Sequence, residues 1–205
     1  MLRTLQDMTD VSVLATDGEI GKIQNFLFDD RSWSVRYLVV NVGNWLARRE
    51  VVISVTVIDR PDWENKSIHV RLSREQVRHS PDVDTTKPVT RQQELAMREY
   101  YGWPMTFRDR PVEISCPPGP SGREYPLHDG DPHLRSAGDV SGYQVWDRNG
   151  EIGRLEHFIV DEKSWHIGYL DVRAGDWLHG RSMLIATHSV QSISWARHRV
   201  NLRRA

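Results

Sequence analysis

A single cysteine, Cys116, stands among 205 residues, so the chain has no internal disulfide to staple its fold. Long apolar runs are missing as well. The longest, such as Tyr37–Val40 and Val51–Ile53, fall far short of the roughly 20 residues that a bilayer-crossing helix needs. The opening stretch, Met1-Leu2-Arg3-Thr4-Leu5-Gln6-Asp7, has no apolar segment of the kind a secretory signal carries, and with one thiol the expected address is the cytoplasm. An excess of charge is absent too: 27 Lys and Arg face 28 Asp and Glu. Residues 1–72, 73–137 and 138–205 carry 9 basic against 10 acidic, 9 against 10, and 9 against 8 side chains. No segment has the basic footprint of a nucleic-acid binder, so no nucleic-acid partner is expected. The tail, Arg197-His198-Arg199 and Arg203-Arg204, is locally basic. At ~1 kcal/mol per basic residue it is too short to anchor on a lipid surface alone, which leaves peripheral membrane contact as a disfavoured alternative.

What the chain does have is a repeat. Adding 132 to the numbering lays Asp7–Arg71 over Asp139–Arg203 without a gap. Gly18-Glu19-Ile20-Gly21 falls on Gly150-Glu151-Ile152-Gly153, Ser32-Trp33 on Ser164-Trp165, Tyr37-Leu38 on Tyr169-Leu170, and Gly43, Trp45 and Leu46 on Gly175, Trp177 and Leu178. Arg49 and Trp63 recur as Arg181 and Trp195. Each copy is about 65 residues, near the lower limit for an independent core, which favours a symmetric packing of one copy on the other.

Within a copy the pattern is one of short strands and tight turns. First strands are expected at Ser12–Ala15 and Gly142–Trp146, and second strands at Glu19–Phe28 and Glu151–Val160, joined by the hairpin dipeptides Asp17-Gly18 and Asn149-Gly150. Gly21 and Gly153 mark a bulge or a close backbone approach. Third strands follow at Val35–Val42 and Ile167–Ala174. Comparing the copies sets their facing: Val39 and Asn41 become Asp171 and Arg173, whereas Leu38, Val40 and Val42 stay apolar as Leu170, Val172 and Ala174, so the latter set faces the core. Strands near Val51–Ser54, Ser67–Leu72, Met183–Ala186 and Arg199–Leu202 complete the set, and closing so small a sheet into a barrel would remove its edges. Between the copies, capping boxes at Ser73–Gln76 and Thr90–Gln93 predict short helices near Arg74–His79 and Arg91–Tyr101, and a Pro/Gly-rich linker runs from about Arg108 to about Ala137.

The segments D-G-E-I-G at 17–21, F-L-F-D-D at 26–30, S-W at 32–33, R-Y-L-V-V at 36–40, G-N-W-L at 43–46 and V-V-I-S at 51–54 resemble the PRC-barrel family, and residues 150–153, 158–162, 164–165, 168–172 and 175–178 resemble it a second time. The resemblance implies a mainly β chain of two small PRC-type β-barrels, 1–79 and 136–205, with a helix-containing Pro/Gly-rich connector at 80–135. It also implies a docking module rather than a catalyst. Members of the family serve as the cytoplasmic domain of the photosynthetic reaction centre H subunit and as part of the ribosome maturation factor. The expected function is therefore non-enzymatic interaction or assembly, with a reaction-centre-like or membrane-associated scaffold as the alternative and a metal-dependent enzyme or metal-binding protein as the distant one. The expected partner is a protein, a second copy of the chain, or one barrel for the other.

No cofactor or metal is expected. His128-Asp129-Gly130-Asp131-Pro132-His133 offers imidazoles and carboxylates, but a metal needs three or four ligands fixed in space, and this is a linker. Asp29-Asp30 and Asp161-Glu162 fit turn chemistry better than calcium, which takes six to eight oxygens. Cys116 has no neighbouring base to activate it. The recurring Trp side chains first serve packing. Partner specificity is expected where the copies differ within the same loop, beside Trp45 and Trp177. This selects Arg48 and Glu50 in the first copy and His179 and Arg181 in the second, because a large aromatic beside Arg is typical of interface hot spots.

Overall fold

The computed structural model describes residues 1–42, 49–81, 96–97, 99–102, 134–174 and 181–203. Its first half runs β1 Leu2–Thr4, a 3-10 turn at Gln6–Met8, β2 Ser12–Ala15, β3 Gly18–Asp29, β4 Ser34–Asn41, β5 Glu50–Ser54, a 3-10 turn at Val55–Val57, β6 Ile58–Asp62 and β7 Ser67–Val70. Helix α1, Arg74–Arg78, follows, and residues 96–97 and 99–101 are helical. The second half runs β8 Leu134–Ser136, a helical turn at Ala137–Val140, β9 Gln144–Asp147, β10 Gly150–Asp161, β11 His166–Ala174, β12 Arg181–Ala186, a 3-10 turn at Thr187–Ser189, β13 Val190–Ser194 and β14 Arg199–Leu202. The offset of 132 carries β1 to β8, β2 to β9, β3 to β10, β6 to β13 and β7 to β14 residue for residue. The chain is mainly β, as expected.

Local chemistry explains the strand ends. Gly18 and Gly150 take φ of 138° and 132° at their hairpins, a region that only glycine enters without strain. A Cβ on Gly21 would collide with the Asn41 carbonyl, so β3 passes β4 there only because no side chain intervenes. Asp29 Oδ1 accepts the Ser32 N–H at 2.7 Å and the Ser32 hydroxyl at 3.0 Å, closing the turn into β4, and Asp161 and Ser164 repeat this before β11. Ser73 and Gln76 cap α1 reciprocally, as the sequence pattern requires. The Thr90–Gln93 box lies outside the described residues.

All strands join one sheet whose path runs β13-β14-β9-β10-β11-β4-β3-β2-β7-β6, with β12 on β11, β5 on β4, β1 on β10 and β8 on β3. The path does not close on itself: among the described residues β6 pairs with β7 alone, and β13 with β14 alone. The backbone pairing among the described residues therefore gives an open sheet path and does not show the expected barrel closure. The sequence reading missed both β6 and its counterpart β13; Pro61 lies in β6, at the end of the path, where a strand proline is tolerated. The linker expected to run to Ala137 ends sooner, because Leu134 and Arg135 belong to β8 and Ala137 begins a helical turn.

The core holds Val13, Ile23, Phe26, Leu38, Val40 and Ile53 in the first half, and Val145, Leu155, Phe158, Leu170 and Val172 in the second. The alternation of β4 and β11 is as read. Val39, however, is buried as well, although it points to the opposite face.

Candidate functional site

Two features of the surface carry chemistry: the seam between the halves and the outer face of the sheet in each half. The seam is a reciprocal exchange of strands. β1 pairs with β10, Leu2 opposite Asp161, while β8 pairs with β3, Leu134 opposite Asp29. Each half thus receives an edge strand from the chain that leads into the other, the arrangement that domain swapping produces between subunits. At the middle of the seam the Val35 N–H donates to the Trp165 carbonyl at 2.8 Å, and the Ile167 N–H to the Trp33 carbonyl at 2.7 Å. The four residues pair off by the same offset of 132, so a local twofold passes between β4 and β11.

Ion pairs repeat across the seam. The Arg135 guanidinium donates to Asp30 at 2.7 Å and lies over the Trp195 ring at 5.6 Å; the Arg3 guanidinium donates to Glu162 at 2.8 Å and lies over Trp63 at 4.6 Å. In each case an arginine of one exchanged strand joins a carboxylate of the other half to a tryptophan of its own half. The hydrogen bond from Arg3 holds the Glu162 carboxyl below its ordinary range. The Ser164 N–H and hydroxyl, followed by the Lys163 N–H, bring Asp161 down to about 2.

The outer faces differ between the halves. On the first half Tyr37, Val39 and Val52, at 4%, 1% and 2% exposure, are covered. On the second the same positions hold Tyr169 at 40%, half-buried Asp171 and Leu184 at 62%. The part of the chain that is not duplicated also adds to the core. Val77 of α1, Met97 and the partly buried Tyr101 join the buried cluster from that part. Burial pushes the Tyr101 phenol above its ordinary range. Arg49, just before β5, ties α1 to the sheet: its guanidinium donates to the Arg78 carbonyl at 2.5 Å and the Ser80 carbonyl at 2.8 Å. These carbonyls lie at and just beyond the C-terminus of α1, where a helix lacks internal donors and favours a cation.

On the exposed face, β10 carries a bulge between Leu155 and His157, and His157 sits opposite Asp171. The bulge brings Glu156 beside them, and the three groups offer ligand atoms within 4.8 Å of one another. Two of the three already have partners. Glu156 accepts from Arg173 at 2.8 Å, and Asp171 accepts from the Ser182 hydroxyl. The trio is an ion-pair network in which a cation would compete with Arg173. The sequence reading missed it, although Glu156, His157 and Asp171 stand where the first half has Gln24, Asn25 and Val39. That triple change was visible; the bulge that gathers it was not.

Of the residues chosen from sequence, Trp45, Arg48, Trp177 and His179 lie outside the described residues, as do His128, Asp129, Asp131, His133 and Cys116. Glu50 is half-buried at the start of β5, opposite Asn41. Arg181 is exposed at the start of β12, opposite Ala174, and makes no hydrogen bond or ion pair among the described residues. Glu50 and Arg181 thus begin equivalent strands on different halves. No described helix is long and apolar enough to cross a membrane. Residues 4–77 match the family model of the PRC-barrel domain. No curated protein matches the chain.

Proposed function

Because the chain carries a PRC-barrel domain over residues 4–77, we propose that it is a non-enzymatic interaction or assembly module, working in the cytoplasm and built from two such units in tandem. The observation that carries the reading is the uncovered outer face of the second half. Leu184 is 62% exposed and Tyr169 40%, at positions whose counterparts Val52 and Tyr37 are buried. Apolar side chains on one sheet face, with Asp171 and Arg173 beside them on the same face, make the contact surface of a binding module. The carboxylates at the seam support the same view, since Asp29, Asp30, Asp161 and Glu162 are each engaged in a turn or an ion pair that holds the fold.

The test is quantitative capture. The full chain, immobilised and equilibrated with extract of its source organism, should retain a defined protein at constant stoichiometry, with no turnover of small molecules in the same mixture. Retention of nothing above a blank support would refute the proposal.

A further inference from the structure

The edge of a sheet is a row of unpaired backbone donors and acceptors, and among the described residues most edges of this protein are blunted. β6 carries Pro61 and three charged residues. β1 and β8 are three residues long, with Arg3 and Arg135 at their centres. On β13 the Arg203 guanidinium occupies the Val190 carbonyl at 3.3 Å, and on β5 Val51 and Val52 are 0% and 2% exposed. β12, Arg181–Ala186, has none of these protections. Among the described residues it pairs with β11 alone, it holds neither proline nor glycine, and its one charge, Arg181, sits at its first position.

The apolar residues of β12 are bare on both faces. Met183 stands opposite Val172 on the core side of the sheet and is 36% exposed, while Leu184 stands opposite Asp171 on the outer side and is 62% exposed. The repeat gives the direction of the backbone groups. The Val42 N–H donates to the Arg49 carbonyl, which makes Asn41 and Glu50 a non-hydrogen-bonded pair. At the offset of 132, Arg173–Ser182 and Asp171–Leu184 are such pairs as well, so the N–H and C=O groups of Ser182 and Leu184 point away from β11, out from the edge.

We infer that β12 is the edge through which two copies of this chain pair, antiparallel about a twofold axis at Leu184. The inference rests on the interaction-module reading above and names a second copy as the partner at that surface. In this register Leu184 exchanges both backbone hydrogen bonds with its equivalent, Met183 falls opposite Ile185, and Ser182 opposite Ala186. The strand is its own complement. Each of these pairs is neutral, so no like charges meet, and Met183 and Leu184 are covered on both faces at once. Pairing uses up the one open edge of β12 on each copy and closes at two, as isologous contacts do.

The test is sedimentation velocity of the full chain over a dilution series, and a reversible monomer–dimer equilibrium is expected. Leu184→Lys sets two like charges against each other at the twofold and removes the apolar contact, so it should raise the dissociation constant at least fivefold. Leu184→Pro removes an N–H that the ladder to β11 does not use, and it should do the same. Tyr169→Ala, on the outer face of β11, should leave the constant within about twofold, because edge pairing does not press the faces together. Leu184 is exposed, so the circular dichroism melt of Leu184→Lys should match the wild type; if Leu184→Pro fails to fold, Leu184→Lys decides alone. A chain that is monomeric at every concentration overturns the inference, as does a dimer that either folded Leu184 variant leaves intact or that Tyr169→Ala weakens as much. So does a monomer whose captured partner is lost with Leu184→Lys, because the edge then takes a strand from a different protein. If the chain is monomeric but the extract still yields a partner, only this inference falls; if the extract yields nothing either, the interaction-module reading falls with it.

Discussion

Arg135 tests the exchanged-strand seam most directly. Its side chain is 15% exposed and that of Asp30 10%, with the guanidinium 2.7 Å from the carboxylate and 5.6 Å from the centre of the Trp195 ring. Replacing Arg135 with Met keeps an unbranched apolar stem to pack along Trp195 and removes the charge. Breaking a fully buried pair by deleting one partner costs about 3–5 kcal/mol, because the remaining charge is stranded away from water. Some water reaches both groups here, so the expected loss lies below that range, at about 2–3 kcal/mol including the lost cation–π contact. Adding Asp30→Asn removes the carboxylate charge that Arg135 had balanced and should return about 1 kcal/mol of the loss. The assay is urea unfolding of the two single variants, the double variant and the wild type, followed by tryptophan fluorescence and by circular dichroism. Because β1 and β8 each complete the opposite half, both probes should report one transition, and Arg135→Met should move all of it. A loss under about 0.5 kcal/mol, a double variant no better than Arg135→Met, or two separate transitions with one unmoved would refute the argument that the seam binds the halves into one cooperative unit.

Two further predictions follow from the same geometry. Asp161 is held at about 2 against an ordinary 3.8 by the Ser164 N–H and hydroxyl. A depressed carboxylate contributes stability that is present above the ordinary value and disappears as pH falls toward the folded one, so the contribution should fade from about pH 4 down to about pH 2, and Asp161→Asn should flatten that part of an acid-unfolding profile. Val39→Asp places on the covered face the residue that the second half carries on its open one. It should destabilise by about 3 kcal/mol or more in thermal or urea unfolding, since a carboxylate at a position 1% exposed has no partner to replace water; an effect below 1 kcal/mol would show that the first face is not sealed.

The repeat settled much in advance. The hairpin glycines, the Asp–Ser turns, the inward set Leu38, Val40, Leu170 and Val172, and the capped helix at Ser73 all follow from rules that act over a few residues: positive φ, alternation, side chain to backbone hydrogen bonds. Those rules are local, so the sequence states them twice and the structure repeats them at the same offset. β1 and β8 were not legible. Three-residue strands carry no period, and their pairing partners lie more than a hundred residues away.

What the sequence alone determined is therefore the content of each half: which residues turn, which face inward, and that the pattern occurs twice. Only the tertiary structure decided how the halves are joined and how they differ. Strand exchange, the Arg135–Asp30 and Arg3–Glu162 pairs, and the bulge that gathers Glu156, His157 and Asp171 are contacts between segments remote in sequence. The decisive difference is burial. Tyr37 and Tyr169 are the same residue in the same local pattern, yet one is 4% and the other 40% exposed. Exposure depends on what lies above a face. The local pattern repeats at the same offset, whereas what packs above a face does not.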